Sequence, residues 1–409
     1  MKHSGSADLA LMGGHIPNWL FERMTKLSLA VVEALLIEHG TKGFLSRLSD
    51  PYWFQSFGAV IGMDWNSSGV TTAIMRALKV SLNPHAKELG LYVCGGKGKQ
   101  SLQTPQELLR IGDRTGLDAR QLTRYSKLSA KVDNTAIQDG YQLYIHSFIL
   151  NREGDWTVIQ QGMKPEDHSA RRYHWHSEEL SSFIVDPHQA ICGDHQGDIL
   201  NLVDARAQSS QDGILQLTQE KPVHLLNEIP KMQLPKYCDV KAKDVDLKRL
   251  GSILWLAQES QTTNFEDLLL LKGLGPRTLQ SLALVSEVIH GTPSRFSDPA
   301  RFSFAHGGKS ARPFPVPTRV YDETIRTLQD AVERAKIGQS DKQKAIAKLS
   351  QLAQRAEEGF SPNQNFQQLL EKENRDSWKY GGRTRDGYVQ PPGKEKKNGG
   401  QLNLFGTTE

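Results

Sequence analysis

The chain has 409 residues, 23% of them charged, and a formal net charge of +4. Because a single hydrophobic core seldom extends beyond about 250–300 residues, this length predicts two domains and a tail. The small positive excess excludes a protein that coats nucleic acid with its whole surface, so we expect any contact with DNA to be local.

Cysteine usage and hydropathy indicate the compartment. Cys94, Cys192 and Cys238 are far apart and lack paired spacing, which argues against a disulfide framework and against a cysteine zinc site. No apolar run approaches the ~18 residues of a membrane span, and no secretory leader is recognisable at the start. We therefore expect a cytoplasmic, nucleoid-associated protein without a membrane partner.

Residues 1–230 are predicted to form a mixed α/β domain that carries the chemistry. An amphipathic helix is expected over residues 17–37, ending near Gly40, and helical spacing resumes over residues 70–82. Two alternating segments with a turn over residues 151–155 predict a β-hairpin. The predicted strands, hairpin included, are 90–94, 141–150, 156–163, 171–175, 182–185 and 199–203.

Asp64 is the first candidate for catalysis, because it follows an apolar segment and precedes several hydroxyl side chains at a predicted helix start. A carboxylate in this place can hold a divalent ion, so Asp64 is predicted to bind Mg²⁺ or Mn²⁺ and to act in catalysis. The alternative is that Asn66 or Ser67 simply caps the helix.

Four basic residues are predicted to contact phosphates. Lys97 and Lys99 lie in a glycine-rich loop, residues 95–99, directly after a predicted strand. The loop lacks the spacing of an ATP-binding P-loop, which makes a contact with the DNA backbone the better prediction and a solvated turn the alternative. Arg171 and Arg172, which lie at the start of the predicted strand 171–175, are also predicted to bind phosphates of the DNA.

Histidines are concentrated around the predicted hairpin. His174 and His176 would share one face of a strand, which suits a common metal ion or a pair beside a scissile phosphate. With His146 and Asp64 they complete the predicted catalytic set, and His174 is the predicted metal ligand beside Asp64. The alternative is that each histidine is a hydrogen-bonded core residue.

The second predicted domain, residues 245–337, is helical. Its helices are expected at 247–257, 265–272, 276–289 and 321–335. Residues 271–279 resemble the helix-hairpin-helix motif, in which glycines permit a tight turn and the following helix start receives a backbone phosphate. An ordinary helix corner is the alternative. The residues predicted to bind DNA here are Lys272, Gly273, Gly275 and Arg277.

Residues 338–409 are predicted to form a polar helix and a disordered tail. Near its end, four residues resemble the bacterial sliding-clamp-binding motif: Gln401, Leu402, Leu404 and Phe405. Such a peptide binds in a groove, with the glutamine at one end and the apolar side chains in pockets. A bacterial sliding clamp is therefore a predicted partner, and a frayed apolar terminus is the alternative.

A family resemblance extends over roughly residues 1–337. The stretches 7–24, 54–72, 91–99, 138–175 and 265–309 resemble DUF763, a bacterial and archaeal family without an assigned activity. The resemblance implies that these blocks belong to one module. It supplies no catalytic residue, so the candidates above depend on their chemistry alone.

These observations favour a DNA-processing enzyme recruited by the sliding clamp, with metal-dependent nuclease as the first hypothesis. A base-removing glycosylase is the second, because Asp298 follows the hairpin at the spacing of a catalytic aspartate in some helix-hairpin-helix repair enzymes. The third is an adaptor without catalytic activity that connects the clamp to DNA.

Overall fold

The computed structural model describes residues 16, 18–63, 68–164, 166, 169–193, 196–232, 245–300 and 318–357, and the pairs 383–384 and 387–388. The chain divides into two units, Met1–Phe360 and Ser361–Glu409. The described residues of the second unit form two short paired strands, Arg383–Thr384 and Gly387–Tyr388. No helix among the described residues is long and apolar enough to cross a membrane.

The centre of the first unit is an antiparallel sheet of five strands that follow one another in chain order. They are β1 (Leu91–Lys97), β2 (Gln142–Asn151), β3 (Trp156–Lys164), β4 (Ser169–His176) and β5 (Ala190–Cys192). β2, β3 and β4 are joined by short connections, which suffice for antiparallel neighbours, whereas residues 98–141 connect β1 to β2. The predicted β-hairpin is confirmed as β2 and β3, which pair from Leu150 opposite Trp156.

Two predicted strands do not join the sheet. Residues 182–185 are irregular, and residues 199–203 make only isolated bridges, such as Leu200 with Phe296. Their apolar side chains, including Phe183 and Leu202, are instead buried in the core between the sheet and one layer of helices. A short apolar segment has the same composition whether it pairs with a strand of the sheet or packs in the core as irregular chain. The sequence pattern therefore does not distinguish a strand from a buried irregular segment.

Helices cover both faces of the sheet. In chain order they are α1 (Asn18–Ser49), α2 (Pro51–Ile61), α3 (Ser68–Leu82), α4 (Ala86–Leu89), α5 (Thr104–Thr115), α6 (Ala119–Lys131), α7 (Gln208–Gln219), α8 (Pro222–Glu228), α9 (Leu247–Glu259), α10 (Phe265–Leu270), α11 (Pro276–His290), α12 (Thr318–Arg334) and α13 (Gln339–Glu357). The predicted helices are confirmed, although α1 continues beyond the predicted end through a break at Gly40, whose φ is 65°.

The two helical layers follow from the alternation of side chains along each strand. On one face, Ile149 and Ile159 pack with α1, α2, α3, α12 and α13. On the other, Phe148 and Val158 pack with the helices from α5 to α11. The helices after residue 245 thus share a core with the sheet. Whether residues 1–230 and 245–337 fold independently stays a prediction.

A buried ion cluster connects the sheet to the segment after α11. Arg171 on β4 donates from Nη1 and Nη2 to the two carboxylate oxygens of Asp298, at 3.0 and 2.7 Å. Nη1 also donates to Oδ2 of Asp139 at 3.0 Å, and the Tyr173 hydroxyl donates to the same oxygen at 2.6 Å. Asp298 further accepts from the backbone N–H of Ala300 at 2.8 Å. One guanidinium without exposed surface is therefore hydrogen-bonded to two carboxylates.

Replacing Asp298 by alanine is expected to lower the free energy of unfolding by about 3–5 kcal/mol, because it leaves the buried charge of Arg171 incompletely paired. The measurement is chemical denaturation followed by circular dichroism. Arg334→Ala is the control, since it removes an exposed ion pair with Glu38 whose atoms lie 2.8 Å apart. Equal stabilities of the Asp298 variant and the control would contradict the importance of the cluster.

Candidate nucleic-acid interface

The segment between α10 and α11 is a tight helical hairpin. Leu271 and Leu274 anchor it in the core, and the N–H of Leu274 donates to the carbonyl of Leu271 at 3.2 Å. Between them, Gly273 has a φ of 89°, a conformation that side chains with a Cβ rarely adopt. The predicted glycine turn therefore has a physical requirement at this position.

The start of α11 is open to solvent. Gly275 is its N-cap residue, in an extended conformation, and no side chain caps the helix. Pro276 has no N–H, and the N–H groups of Arg277 and Thr278 have no acceptor within the helix. A Cβ added to Gly275 would meet no atom within 4 Å. With exposed Lys272 and Arg277 beside it, this positive helix end can receive a phosphate.

Two polar side chains outside the motif hold the hairpin in place. Lys131, at the end of α6, donates to the carbonyl of Leu274 at 2.6 Å, and Gln138 donates to the carbonyl of Pro276 at 2.8 Å. Burial lowers the pKa of Lys131. Sequence reasoning missed both residues, because each acts on a carbonyl more than a hundred positions along the chain.

A π-helical turn over residues 132–136 sets the position of these two side chains. Its Asp133 is fully buried, and Oδ1 lies 2.5 Å from Nε2 of His188. Nε1 of Trp175 donates to Oδ2 at 3.0 Å. Burial raises the pKa of Asp133, while His188 opposes that shift. The carboxylate of Asp133 thus connects the π-helical turn to the sheet through Trp175. Lys131 and Gln138, which flank the turn, connect it to the hairpin.

Lys97 and Lys99 are exposed, as contact with phosphate requires. The segment 95–99, however, is not entirely the loop that the sequence predicts. β1 continues through Gly95 and Gly96 to Lys97, so both glycines are strand residues paired with β2. A Cβ on Gly95 would lie 2.2 Å from the carbonyl oxygen of His146. Glycine is therefore needed at position 95 because the two strands pack closely there. Within this segment, only the side chains of Lys97 and Lys99 remain candidates for contact with DNA.

Arg171 and Arg172 lie inside the protein, each without exposed surface. Arg171 belongs to the ion cluster. Nε of Arg172 donates to Nε2 of His174 at 2.8 Å, and its Nη1 donates to Oε1 of Gln55 at 3.3 Å. Its guanidinium also lies 4.6 Å above the ring of Phe54. These positions do not fit the predicted contacts with phosphate, because DNA cannot reach either side chain.

His174 and His176 share one face of the sheet, as predicted, but the contacts of His174 do not fit its predicted roles in catalysis and metal binding. Nε2 of His174 accepts the hydrogen bond from Arg172, so a metal ion there would face a guanidinium. Burial first, and then the charge of Arg172, lower the pKa of His174 well below its ordinary value. Nδ1 of His176 lies 3.1 Å from the hydroxyl of Thr157.

His146 lies on the opposite face of the sheet from His174. Its Nδ1 is 2.7 Å from Oε1 of Gln160, and its Nε2 is 2.8 Å from the hydroxyl of Ser126. Gln160 in turn donates to Asp133 at 2.5 Å. Burial lowers the pKa of His146 to about 4, so the imidazole is neutral at neutral pH. Because the sheet separates them, His146 cannot share one site with the other two histidines.

The described side chains do not assemble the predicted metal site. No group of three or more His, Cys, Asp or Glu side chains within the described part of the chain is placed to hold an ion. Asp64 lies outside the described residues, as do the four tail residues from Gln401 to Phe405. Both predictions therefore rest on the sequence alone.

Comparison with known proteins gives one result. A family model described as "Protein of unknown function (DUF763)" matches residues 5–316, which is more than half of the chain. No curated protein and no solved structure matches. The chain therefore belongs to the DUF763 family.

Proposed function

We propose that this protein acts in genome maintenance by binding the sugar-phosphate backbone of DNA through the hairpin between α10 and α11. The supporting observation is the uncapped start of α11 behind the turn at Gly273, with Lys272 and Arg277 exposed beside it. Backbone amides and cations interact with phosphate, which is the same for every base. Binding is therefore expected to be independent of sequence.

The hairpin alone is a low-affinity element. Each phosphate neutralised by a cation changes the slope of log affinity against log salt by about 0.9 on duplex DNA. Two cations thus account for a slope of only about 2. Lys97 and Lys99 are proposed as further backbone contacts. Recruitment by a second partner would raise the occupancy of so weak a site, and the proposed partner is a bacterial sliding clamp bound by residues 401–405.

Metal-dependent cleavage of DNA is the catalytic form of this proposal, and it depends on Asp64. Asp64 lies outside the described residues, so this form of the proposal rests on its place in the sequence before α3. The catalytic residue of the glycosylase alternative, Asp298, is buried and held by Arg171, an arrangement that does not suit a catalytic base.

The double variant Gly275→Ala with Arg277→Ala is expected to weaken binding to unrelated duplexes by similar factors. The backbone of Gly275 is extended and its surroundings are open, so the methyl group is tolerated by the fold but hinders close approach of a phosphate. The salt slope should fall by about 1. Fluorescence anisotropy measures both, with Lys336→Ala as an exposed control. A loss confined to one sequence would indicate base recognition instead.

Purified protein with Mg²⁺ or Mn²⁺ is expected to cut at least one of single-stranded, duplex, flapped or damaged DNA. Asp64→Asn should abolish cleavage, because an amide is a poorer ligand for a divalent cation than a carboxylate. Asp113→Asn, an exposed change on α5, is the control. Gel analysis with and without chelator decides the matter, and intact substrates under every condition would refute the nuclease.

A peptide of residues 399–409 is expected to bind a bacterial sliding clamp, and the change of Leu404 and Phe405 to alanine should abolish detectable binding. Each buried apolar side chain contributes about 1.5–3 kcal/mol, most of what a short peptide can gain. Titration calorimetry measures the affinity. Alanine at Thr407 and Thr408 is the control, and binding that survives the first change would contradict the motif.

A further inference from the structure

The outward face of α9 carries an exposed tryptophan on a basic helix. Trp255 is 55% exposed, which is unusual for a side chain whose burial is so favourable. The exposed residues at helical spacing around it are Lys248, Ser252 and Glu259. A shallow depression of about 470 Å³ lies beside the indole, and it is lined by Leu226, Leu247, Lys248, Gly251, Ser252 and Trp255.

The floor of this depression depends on a close approach of two helices. A Cβ added to Gly251 would lie 2.9 Å from Cδ1 of Leu226 on α8. Glycine therefore allows α8 to pack closely against α9, and Leu226 lines the depression beside the indole of Trp255. Val223, also on α8, is 61% exposed.

The opposite side of α9 packs on the DNA-binding hairpin. Cδ1 of Ile253 lies 3.8 Å from the position that a Cβ on Gly273 would take. Arg249 is exposed and lies one turn before Ile253, so it flanks the hairpin. With 3.6 residues per turn, Ser252, Glu259, Lys248 and then Trp255 follow around the helix, away from the hairpin. Trp255 therefore lies about 160° around α9 from Ile253, on nearly the opposite side of the helix.

The charges along this path favour a polyanion. The cations are Lys272 and Arg277 on the hairpin and Lys248 and Arg249 on α9, all exposed. The acidic groups of α9 are at its two ends. Asp246 caps the first turn, where its Oδ1 accepts from the N–H of Arg249 at 3.0 Å, and Glu259 is the last residue. Lys248 and Arg249 lie in the first turn of α9, about two turns before Trp255, and Glu259 lies one turn after Trp255, so the positive charge of this face is concentrated toward the start of the helix.

We infer that this face of α9 is a stacking platform for an unpaired nucleobase, and that the preferred ligand is DNA with single-stranded character. The inference rests on the proposed function of the hairpin and extends it. A strand held at the start of α11 crosses Arg249 and Lys248 by its phosphates and places a base on the indole of Trp255. Aromatic stacking tolerates every base, so it adds affinity without adding sequence preference.

Closed duplex cannot use this platform. Its bases are stacked on each other, and the indole could reach only the backbone or the base edges. Unpaired bases have free π-faces, and stacking on an aromatic side chain distinguishes them from paired ones. The hairpin should therefore bind both duplex and single-stranded DNA, whereas Trp255 should strengthen the binding of single-stranded DNA only.

The test compares full-length protein and the variants Trp255→Ala and Trp255→Phe on oligothymidine and on relaxed closed-circular duplex, by anisotropy and competition. Trp255→Ala should weaken binding to oligothymidine about tenfold, and Trp255→Phe should keep most of it. Neither should alter duplex binding or thermal stability. The salt slope should stay unchanged in Trp255→Ala, because indole carries no charge, and fall in Lys248→Ala and Arg249→Ala.

A second readout is photocrosslinking of an oligonucleotide that contains bromodeoxyuridine, which should attach to Trp255. The stacking platform would be overturned if Trp255→Ala weakened binding to both DNAs equally. It would also be overturned if Trp255→Ala left binding to oligothymidine unchanged while duplex binding still depended on Arg277. In both cases the proposed contact of the hairpin with DNA would remain. The second of these results would assign the face to a protein partner. Failure of the unmodified protein to bind either DNA would overturn the proposed function and this inference together.

Discussion

The buried charge of Arg171 is the constraint on which the arrangement of the first unit depends. A guanidinium without exposed surface is tolerated only where carboxylates and hydrogen bonds replace water. Its two carboxylates come from distant parts of the chain. Asp139 directly follows Gln138, which holds the hairpin, and Asp298 follows α11. Both flanks of the hairpin between α10 and α11, the proposed DNA-binding element, are thereby fixed to one strand of the sheet, so this short helical segment is held by a large core.

The neighbouring Arg172 shows how the same residue type is accommodated on the other side of the sheet. Its described partners include neutral groups, among them the imidazole of His174 and the amide of Gln55. Consecutive strand residues point to opposite faces, so the sheet carries one arginine into each helical layer. The polar interior therefore consists of two separate hydrogen-bond networks. His146 belongs to the network of Asp133, and the backbone of the sheet separates it from His174 and His176.

Local features were predictable from the sequence and distant partners were not. The β-hairpin, the late helices and the turn at Gly273 each follow from periodicity or from a backbone conformation that only glycine adopts readily. Strand alternation also placed His174 and His176 on a common face. The face of His146 depends on the register across β2 and β3, and no local pattern indicates which helices cover it. In the same way, a Ser-Asp-Pro segment signals a turn, whereas the partner of Asp298 lies 127 positions earlier in the chain.

The complete burial of α2 has a consequence for biosynthesis. All eleven of its residues are buried, and part of their cover comes from α13, where Ala345 and Leu349 belong to the same core. Roughly 280 residues separate the end of α2 from the start of α13. At about 5–20 residues per second, the ribosome needs roughly 15–60 s to supply that cover. During this interval the aromatic surface of α2 is incompletely protected, and transiently exposed apolar surface of this kind makes a folding chain prone to aggregation.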